Sequence, residues 1–246
     1  MNNATDIALS RLTAQMRAMD VTANNLANMS TPGYRAERIV FADFLAPQIR
    51  TTAPRGDTEL AFTQDRATYR ERAEGSLTQT GNPLDLALSG DGFFTVQTAN
   101  GTRLTRAGRF TLQADGTITD EAGNALLDTG GQKLTVTPAD TRLTVTGDGA
   151  ISSQNGPIGR IAVVAPADPN KLAAEGGRLL RADTPTAPVA RPRVVQGAVE
   201  DSNVQPVAEL VRMMSTERDF QFVTQFVDAE NTRHQTAIDK LAAPVS

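Results

Sequence analysis

The run from Val204 to Leu241 constrains this chain more than any other stretch. It is the longest uninterrupted helical pattern, and its apolar stripe has no partner nearby in sequence. Leu210, Met213, Phe220, Val227, Ile238 and Leu241 fall on alternating steps of three and four, with Glu217, Thr224, Asn231 and His234 filling the remaining seam positions. That is a heptad seam, the pattern of a helix lying along other helices. Val207, Met214, Val223 and Phe226 widen it beyond what a two-stranded seam uses, so several neighbours are expected. A comparable stripe lies at the other terminus, where Leu9, Leu12, Met16, Met19, Ala23 and Leu26 keep the same steps. Two heptad helices at the ends of a long β-like middle point to a meeting of the ends and to a role in assembly.

Composition narrows the function classes. Of 246 residues only 39% are hydrophobic and 4% aromatic, with no Trp, which is lean for a compact enzyme of this length. A formal net charge of -4 argues against a nucleic-acid partner, which asks for a basic face. Zero cysteines exclude disulfides, thiolate metal sites and a cysteine nucleophile. No stretch reaches the roughly 20 apolar residues of a membrane span, and no basic start followed by an apolar run marks a secretory signal. No cofactor and no metal site are expected.

In chain order, residues 1–35 read as an N-terminal assembly helix and its stop. Asn3, Thr5 or Asp6 offer caps at the start, and Asn28, Ser30, Thr31, Pro32 and Gly33 end the helix, because Pro32 lacks an N–H and disfavours helical geometry at Thr31. Residues 36–75 read as an extended connector in which Phe41, Phe44 and Leu45 prolong an apolar contact. Residues 76–200 read as an antiparallel β domain of short strands with local turns. Asn100-Gly101 and Asp115-Gly116 mark hairpins, and Leu84, Leu86 and Leu88 alternate with Asp85, Ala87 and Ser89 as one buried and one wet face. Residues 201–246 form the C-terminal assembly helix, with Asp201, Ser202 and Asn203 as candidate caps. The fold class is therefore α+β, with paired terminal helices and a central antiparallel β region.

No catalytic constellation emerges. His234 is the only histidine and sits in the helical seam, where it reads as a partly buried, hydrogen-bonded side chain. Asp91, Asp115 and Asp148 precede glycines where hairpin turns are needed, without the ligand spacing of a calcium loop.

Four separate blocks resemble the signatures of flagellar rod and hook proteins. Asn24, Asn25 and Asn28 with Thr31, Gly33, Tyr34 and Arg35 are similar to the family's N-terminal motif. Asn82, Pro83 and Asp85, then Gly92 and Phe93, resemble its "GNPLDxAxxGxGFF" block, and Thr105 to Phe110 its "TRxGxF" hairpin. Glu200, Asn203, Val204, Met213, Met214, Arg218 and Phe220 resemble its closing signature. Ile7, Arg35 and Phe220 depart from the residues usual there, keeping apolar or basic character. Within the family, the length and the Ala8-Leu9-Ser10-Arg11 opening look most like the proximal rod subunits, with the distal rod subunits next.

The resemblance implies a structural subunit of the basal-body rod crossing the periplasm. Its partners would be itself and other rod subunits, and it would leave through the flagellar export apparatus with Met1 or Asn2 as the mature N-terminus. The competing readings are a β-rich secreted hydrolase of cell-wall glycan, which leaves both heptad helices unexplained, and an adaptor that docks through its helices without polymerising.

Overall fold

The computed structural model describes residues 3–47, 59–176 and 178–242, with side-chain surroundings for 5–40, 68–176 and 178–240. The chain divides into two compact units. One is drawn from Met1–Leu26, Glu37–Tyr69 and Gln205–Ser246, the other from Ala27–Ala36 and Arg70–Val204. Phe41, Phe44 and Leu45 lie outside the residues whose side chains are described, as does Leu241 in the last helical turn.

The first unit holds helix α1 (Asn3–Ala27), strands β1 (Glu37–Pro47) and β2 (Glu59–Arg70), which pair with each other, and helix α2 (Pro206–Ala242). The stretch read as a connector thus carries two long strands. α2 begins one turn later than its candidate caps: Pro206 takes the first helical position, where its missing N–H costs nothing, and the Glu209 N–H bonds the Gln205 carbonyl. Asp201, Ser202 and Asn203 are therefore not its caps.

α1 and α2 pair as a coiled-coil-like region and run antiparallel. Asn25 meets Glu209, while one turn back on α1 Ala18, Val21 and Thr22 share a cleft with Arg212, Ser215 and Thr216 of α2. The covered line of α2 is Glu209, Met213, Thr216, Phe220, Val223, Val227, Glu230 and His234, a strict three-four alternation. It shares Met213, Phe220, Val227 and His234 with the expected seam but is rotated by one residue elsewhere. Leu210 and Ile238, expected on the assembly seam, are exposed in the single subunit. On α1, Leu12, Met19 and Leu26 of the expected seam are half-buried within the subunit, Leu9 and Met16 are exposed, and Ala8, Ala14, Thr22 and Asn25 are covered.

The second unit runs through β3 (Leu77–Gln79), β4 (Leu86–Leu88), β5 (Phe93–Thr98), β6 (Gly101–Thr105), β7 (Phe110–Leu112), β8 (Ile118–Asp120) and β9 (Ala125–Leu126). It continues through β10 (Leu143–Val145), β11 (Ala150–Ser153), β12 (Gly156–Arg160) and β13 (Val163–Pro166). Then come β14 (Leu172–Glu175), β15 (Leu179–Ala182), β16 (Thr186–Pro188), β17 (Val194–Gln196) and β18 (Ala198–Glu200). Every named pairing within it is antiparallel. The largest sheet orders β14-β15-β6-β5-β9-β8-β7, with β13 on β5 and β16 on β13. Both anticipated hairpins form, β5-β6 across Asn100-Gly101 and β7-β8 across Asp115-Gly116.

A core of Leu86, Leu88, Phe94, Val96, Phe110, Ile118, Leu126, Leu134, Ile151, Ile161 and Val163 fills this unit. Phe94 and Phe110 meet edge to face at 5.5 Å between ring centroids. The Leu84–Ser89 stretch is not half-wet. Leu86, Ala87 and Leu88 are all buried, because β17 pairs with β4 and the Gly108 carbonyl accepts the Leu86 N–H.

Candidate assembly surface

α2 presents two apolar faces. Its covered line lies against the first unit, and on the opposite side Val207, Leu210, Val211, Met214, Phe222 and Phe226 are exposed, Val207 at 76% and Phe222 at 73%. Val207, Val211, Met214, Arg218 and Phe222 fall on steps of four, three, four and four, so they form one ridge with Arg218 set in its middle. α1 adds exposed Leu9 at 61% and Met16 at 55%, one heptad apart on one line. Exposed apolar residues gathered on one face in this way make it a candidate interaction surface.

The helices are pinned by a polar clasp with no exposed surface at its centre. The Asn25 amide spans the backbone of Glu37, donating from Nδ2 to the Glu37 carbonyl at 2.9 Å and accepting the Glu37 N–H at 2.8 Å. Nδ2 also lies 3.3 Å from Glu209 Oε2, while Arg38 and Arg212 reach Glu209 Oε1 at 2.8 and 3.1 Å. A buried carboxylate is tolerable here because two cations and an amide compensate its lost hydration.

The remaining motif residues meet in the second unit. The Gly33 N–H donates to the Glu200 carbonyl at 2.7 Å, the Asn203 N–H to the Tyr34 carbonyl at 3.3 Å, and the Ala36 N–H to Asn203 Oδ1 at 2.8 Å. Asn203 Nδ2 holds the Ala73 carbonyl at 2.8 Å, and Tyr34, Ala36 and Val204 pack together. Thr31 Oγ1 donates to Asn28 Oδ1. Gly33 has φ +70° and lies so close to the Arg106 backbone that a Cβ would stand 2.3 Å from the Arg106 carbonyl carbon. Only glycine satisfies both conditions.

Beneath this contact Arg106 is buried among carbonyls and carboxylates. Nη1 donates to the Gly90 and Gly92 carbonyls at 2.9 and 2.8 Å, Nη2 reaches Glu74 at 3.1 Å, and Nε lies 2.8 Å from Glu200 Oε2, close in charge though not aligned as a hydrogen bond. Burial lowers the Arg106 pKa, opposed first by Glu200, lowered further by Arg35 nearby, and raised again by Glu74. Asp85 accepts from Thr80 Oγ1 and Asn82 Nδ2 at 2.6 and 3.0 Å, and the Pro83 carbonyl accepts from Gln196. Phe93 packs on Leu104 and Leu180. Asn24 and Arg218 stand apart, on exposed faces of α1 and α2.

Three family models match the chain in the order of these blocks: "Flagella basal body rod protein" over residues 6–35, "Flagellar hook protein FlgE/F/G D1 domain" over 87–153 and "Flagellar basal body rod FlgEFG protein C-terminal" over 195–240. The flagellar basal-body rod protein FlgF of Caulobacter vibrioides is 36% identical over 243 residues, covering 98% of both chains. The chain belongs to the flagellar basal-body rod protein family. A FlgF protein of Mesorhizobium japonicum is 33% identical over 90% of each chain, and a FlgG protein of Bacillus subtilis 30% identical over 82% of this chain and 85% of its own length. Among rod proteins this one is FlgF-like.

Within this rod-family chain, sequence reasoning places Met213, Phe220 and Val227 where the helices meet, and misses the outward ridge. That ridge was readable, since Val207, Val211, Met214, Arg218 and Phe222 keep helical spacing as well as the expected seam does. Glu209 and Arg38 carried no comparable mark, because neither belongs to an apolar pattern. His234 is partly buried on the covered line as read, but its Nε2, 3.3 Å from Glu230 Oε1, has no hydrogen-bond partner among the described residues. Among the described residues no helix is long and apolar enough to cross a membrane.

Proposed function

We propose that this chain is a structural subunit of the bacterial flagellar basal-body rod, polymerising through its terminal helices to transmit torque and enclose the export channel, without catalysis. The observation that carries this reading is the second apolar face of α2. One face is already satisfied by the subunit itself, while Val207, Leu210, Val211, Met214, Phe222 and Phe226 stand exposed on the other. Burying one such side chain contributes roughly 1.5–3 kcal/mol, so the ridge supplies a strong drive toward packing on the helices of neighbouring rod subunits. Exposed Leu9 and Met16 extend that surface to α1. Passage through the flagellar export apparatus belongs to the same reading, because the exposed face of α2 finds its cover only at the growing tip.

Electron microscopy of basal bodies from cells lacking the gene tests it. Rod growth should stop at one defined level and resume when the gene is restored. Complete rods in the deletion strain overturn the reading.

A further inference from the structure

After α1 and α2 have paired with each other, each still carries an exposed line, and the two lines have the same spacing. On α1, Leu9, Thr13, Met16 and Asp20 are exposed at steps of four, three and four. On α2, Val207, Val211, Met214 and Arg218 are exposed at steps of four, three and four. Laid parallel and in register, Leu9 stands level with Val207, Thr13 with Val211, Met16 with Met214, and Asp20 with Arg218. Those are the alternating layers of a parallel two-stranded coiled coil, with β-branched Thr13 and Val211 at the positions where such residues favour two strands. The Thr13 hydroxyl is already donated to the Leu9 carbonyl at 3.0 Å, so it asks nothing of a partner.

The fourth layer decides direction and register. Asp20 and Arg218 are exposed and form no ion pair among the described residues of the subunit. Arg218 lies one turn from Met214 on one side and Phe222 on the other, an apolar ridge with no acid of its own on that line. Run antiparallel from the same Asp20–Arg218 contact, Met16 reaches Phe222, but Leu9 falls on Ala229, and Val207 and Val211 are left bare. Setting Asp6 against Arg218 instead puts Leu9 on Ser215 and Met16 on Ala208. A slip of one heptad in the parallel pairing places Asp20 on Val211 or Gln225, where its carboxylate loses its cation.

We infer that the exposed line of α1 in one copy packs parallel and in register on the ridge of α2 in a second copy, with Asp20 paired to Arg218. The inference rests on the rod reading and adds to it the occupant, direction and register of the ridge. Two copies are required, because α1 and α2 of one subunit run antiparallel. The contact is heterologous, each copy offering one line of each kind, so the joint repeats from copy to copy. The charged layer fixes the register that apolar side chains alone leave free to slide.

The chain has no native cysteine, so introduced thiols report on this contact alone. Met16→Cys with Met214→Cys is the matched pair, and Met16→Cys with Phe222→Cys the mismatched one, each in the full chain expressed in cells lacking the native copy. Basal bodies are isolated and oxidised. The matched pair should give a ladder of disulfide-joined multimers. The mismatched pair should give at most about a tenth of that yield, because its positions stand about 12 Å apart along the helix, beyond disulfide reach. More product from the mismatched pair, joining to a different protein, or no joined product in basal bodies that contain the matched variant overturns the pairing. Charge reversal tests it without thiols. Asp20→Arg or Arg218→Asp alone should slow swarm expansion at least about tenfold with the urea midpoint of the purified chain unchanged, and the two together should restore at least about half of it. No restoration by the double variant overturns the pairing as well. The unsubstituted chain in basal bodies beside either negative result leaves the rod reading standing, whereas its absence from them removes the rod reading and the pairing together.

Discussion

Asn25 and Glu209, 184 residues apart in sequence, meet at 3.3 Å with neither retaining any exposed surface. The contact joins the last turn of α1 to the first turn of α2, and through the Glu37 backbone it ties both to β1. An asparagine is the residue that can do this. It gives the strand backbone one donor and one acceptor and still leaves a proton for the carboxylate.

Glu209→Ala therefore removes the 2.8 Å ion pair with Arg38, whose side chain is only 20% exposed, and the contact with the Asn25 amide. Removing one partner of a buried pair costs about 3–5 kcal/mol, and the lower end applies here because Arg212 is half exposed. Asn25→Ala loses two backbone bonds at about 1–3 kcal/mol each where the Glu37 groups stay unsatisfied. Urea titration followed by helical circular dichroism should show both losses in the helical unit. Unchanged midpoints would mean that apolar packing alone holds the helices.

Gly33→Ala should weaken the second unit sharply, because the new methyl meets the Arg106 backbone and the residue must still hold φ +70°. Gly81→Ala is the matched control, with φ +75° and nothing within 4 Å of the added carbon. The control should lose only about 1–2 kcal/mol for left-handed geometry. Thermal unfolding of the two variants side by side separates clash from backbone preference. Equal losses would show that the close approach at Gly33 relaxes at little cost.

The terminal helices, the antiparallel β region and both hairpins were legible because each rests on local information, a three-four repeat or an Asn-Gly or Asp-Gly between alternating strands. What the pattern could not decide is which of two adjacent apolar lines faces inward. Leu210 and Glu209 sit one residue apart, and only the placement of Arg38 and Asn25 makes the charged one the buried one. The meeting of Gly33, Arg106 and Glu200 was equally hidden, since these residues are separated by most of the chain and their pairing is set by strand topology. The motif residues were recognisable as a set while their shared physical task was not.

Acid should loosen the β10-β11 region. Asp140 accepts from Ser153, Thr137 and Asn155, and these hydrogen bonds, the Ser153 one foremost, lower its pKa from 3.8 to about 2. A carboxyl whose folded value is depressed adds stability that is complete above its unfolded value, and that contribution is lost as pH falls. The loss should therefore run from about pH 4 down to about pH 2. Asp140→Asn should flatten stability over that window when unfolding is followed at a series of pH values, with the curve unchanged near neutrality apart from a constant offset. A parallel pH dependence in the variant would assign the acid sensitivity elsewhere.

The two faces of α2 give the sharpest separation of folding from assembly. Phe220 lies half-buried on the covered line and Phe222, two residues on, is 73% exposed on the ridge. A helix turns about 200° over two residues, so the pair points to opposite sides. Phe220→Asp places a carboxylate among apolar side chains of the subunit's own helix pair, at a cost of several kcal/mol, and the same reasoning applies to Met213→Glu. Both should lower the urea midpoint of the helical signal in the purified chain while the β unit stays folded. Phe222→Asp changes a side chain that is largely exposed in the subunit and should leave that midpoint within about 0.5 kcal/mol of the parent. In cells it should still abolish swimming and leave the rod short, because the charge is buried only when a neighbour covers the ridge. If Phe222→Asp cells swim normally, the exposed face of α2 remains open in the assembled rod, and the packing of neighbours must be carried by the line of Leu9 and Met16 instead.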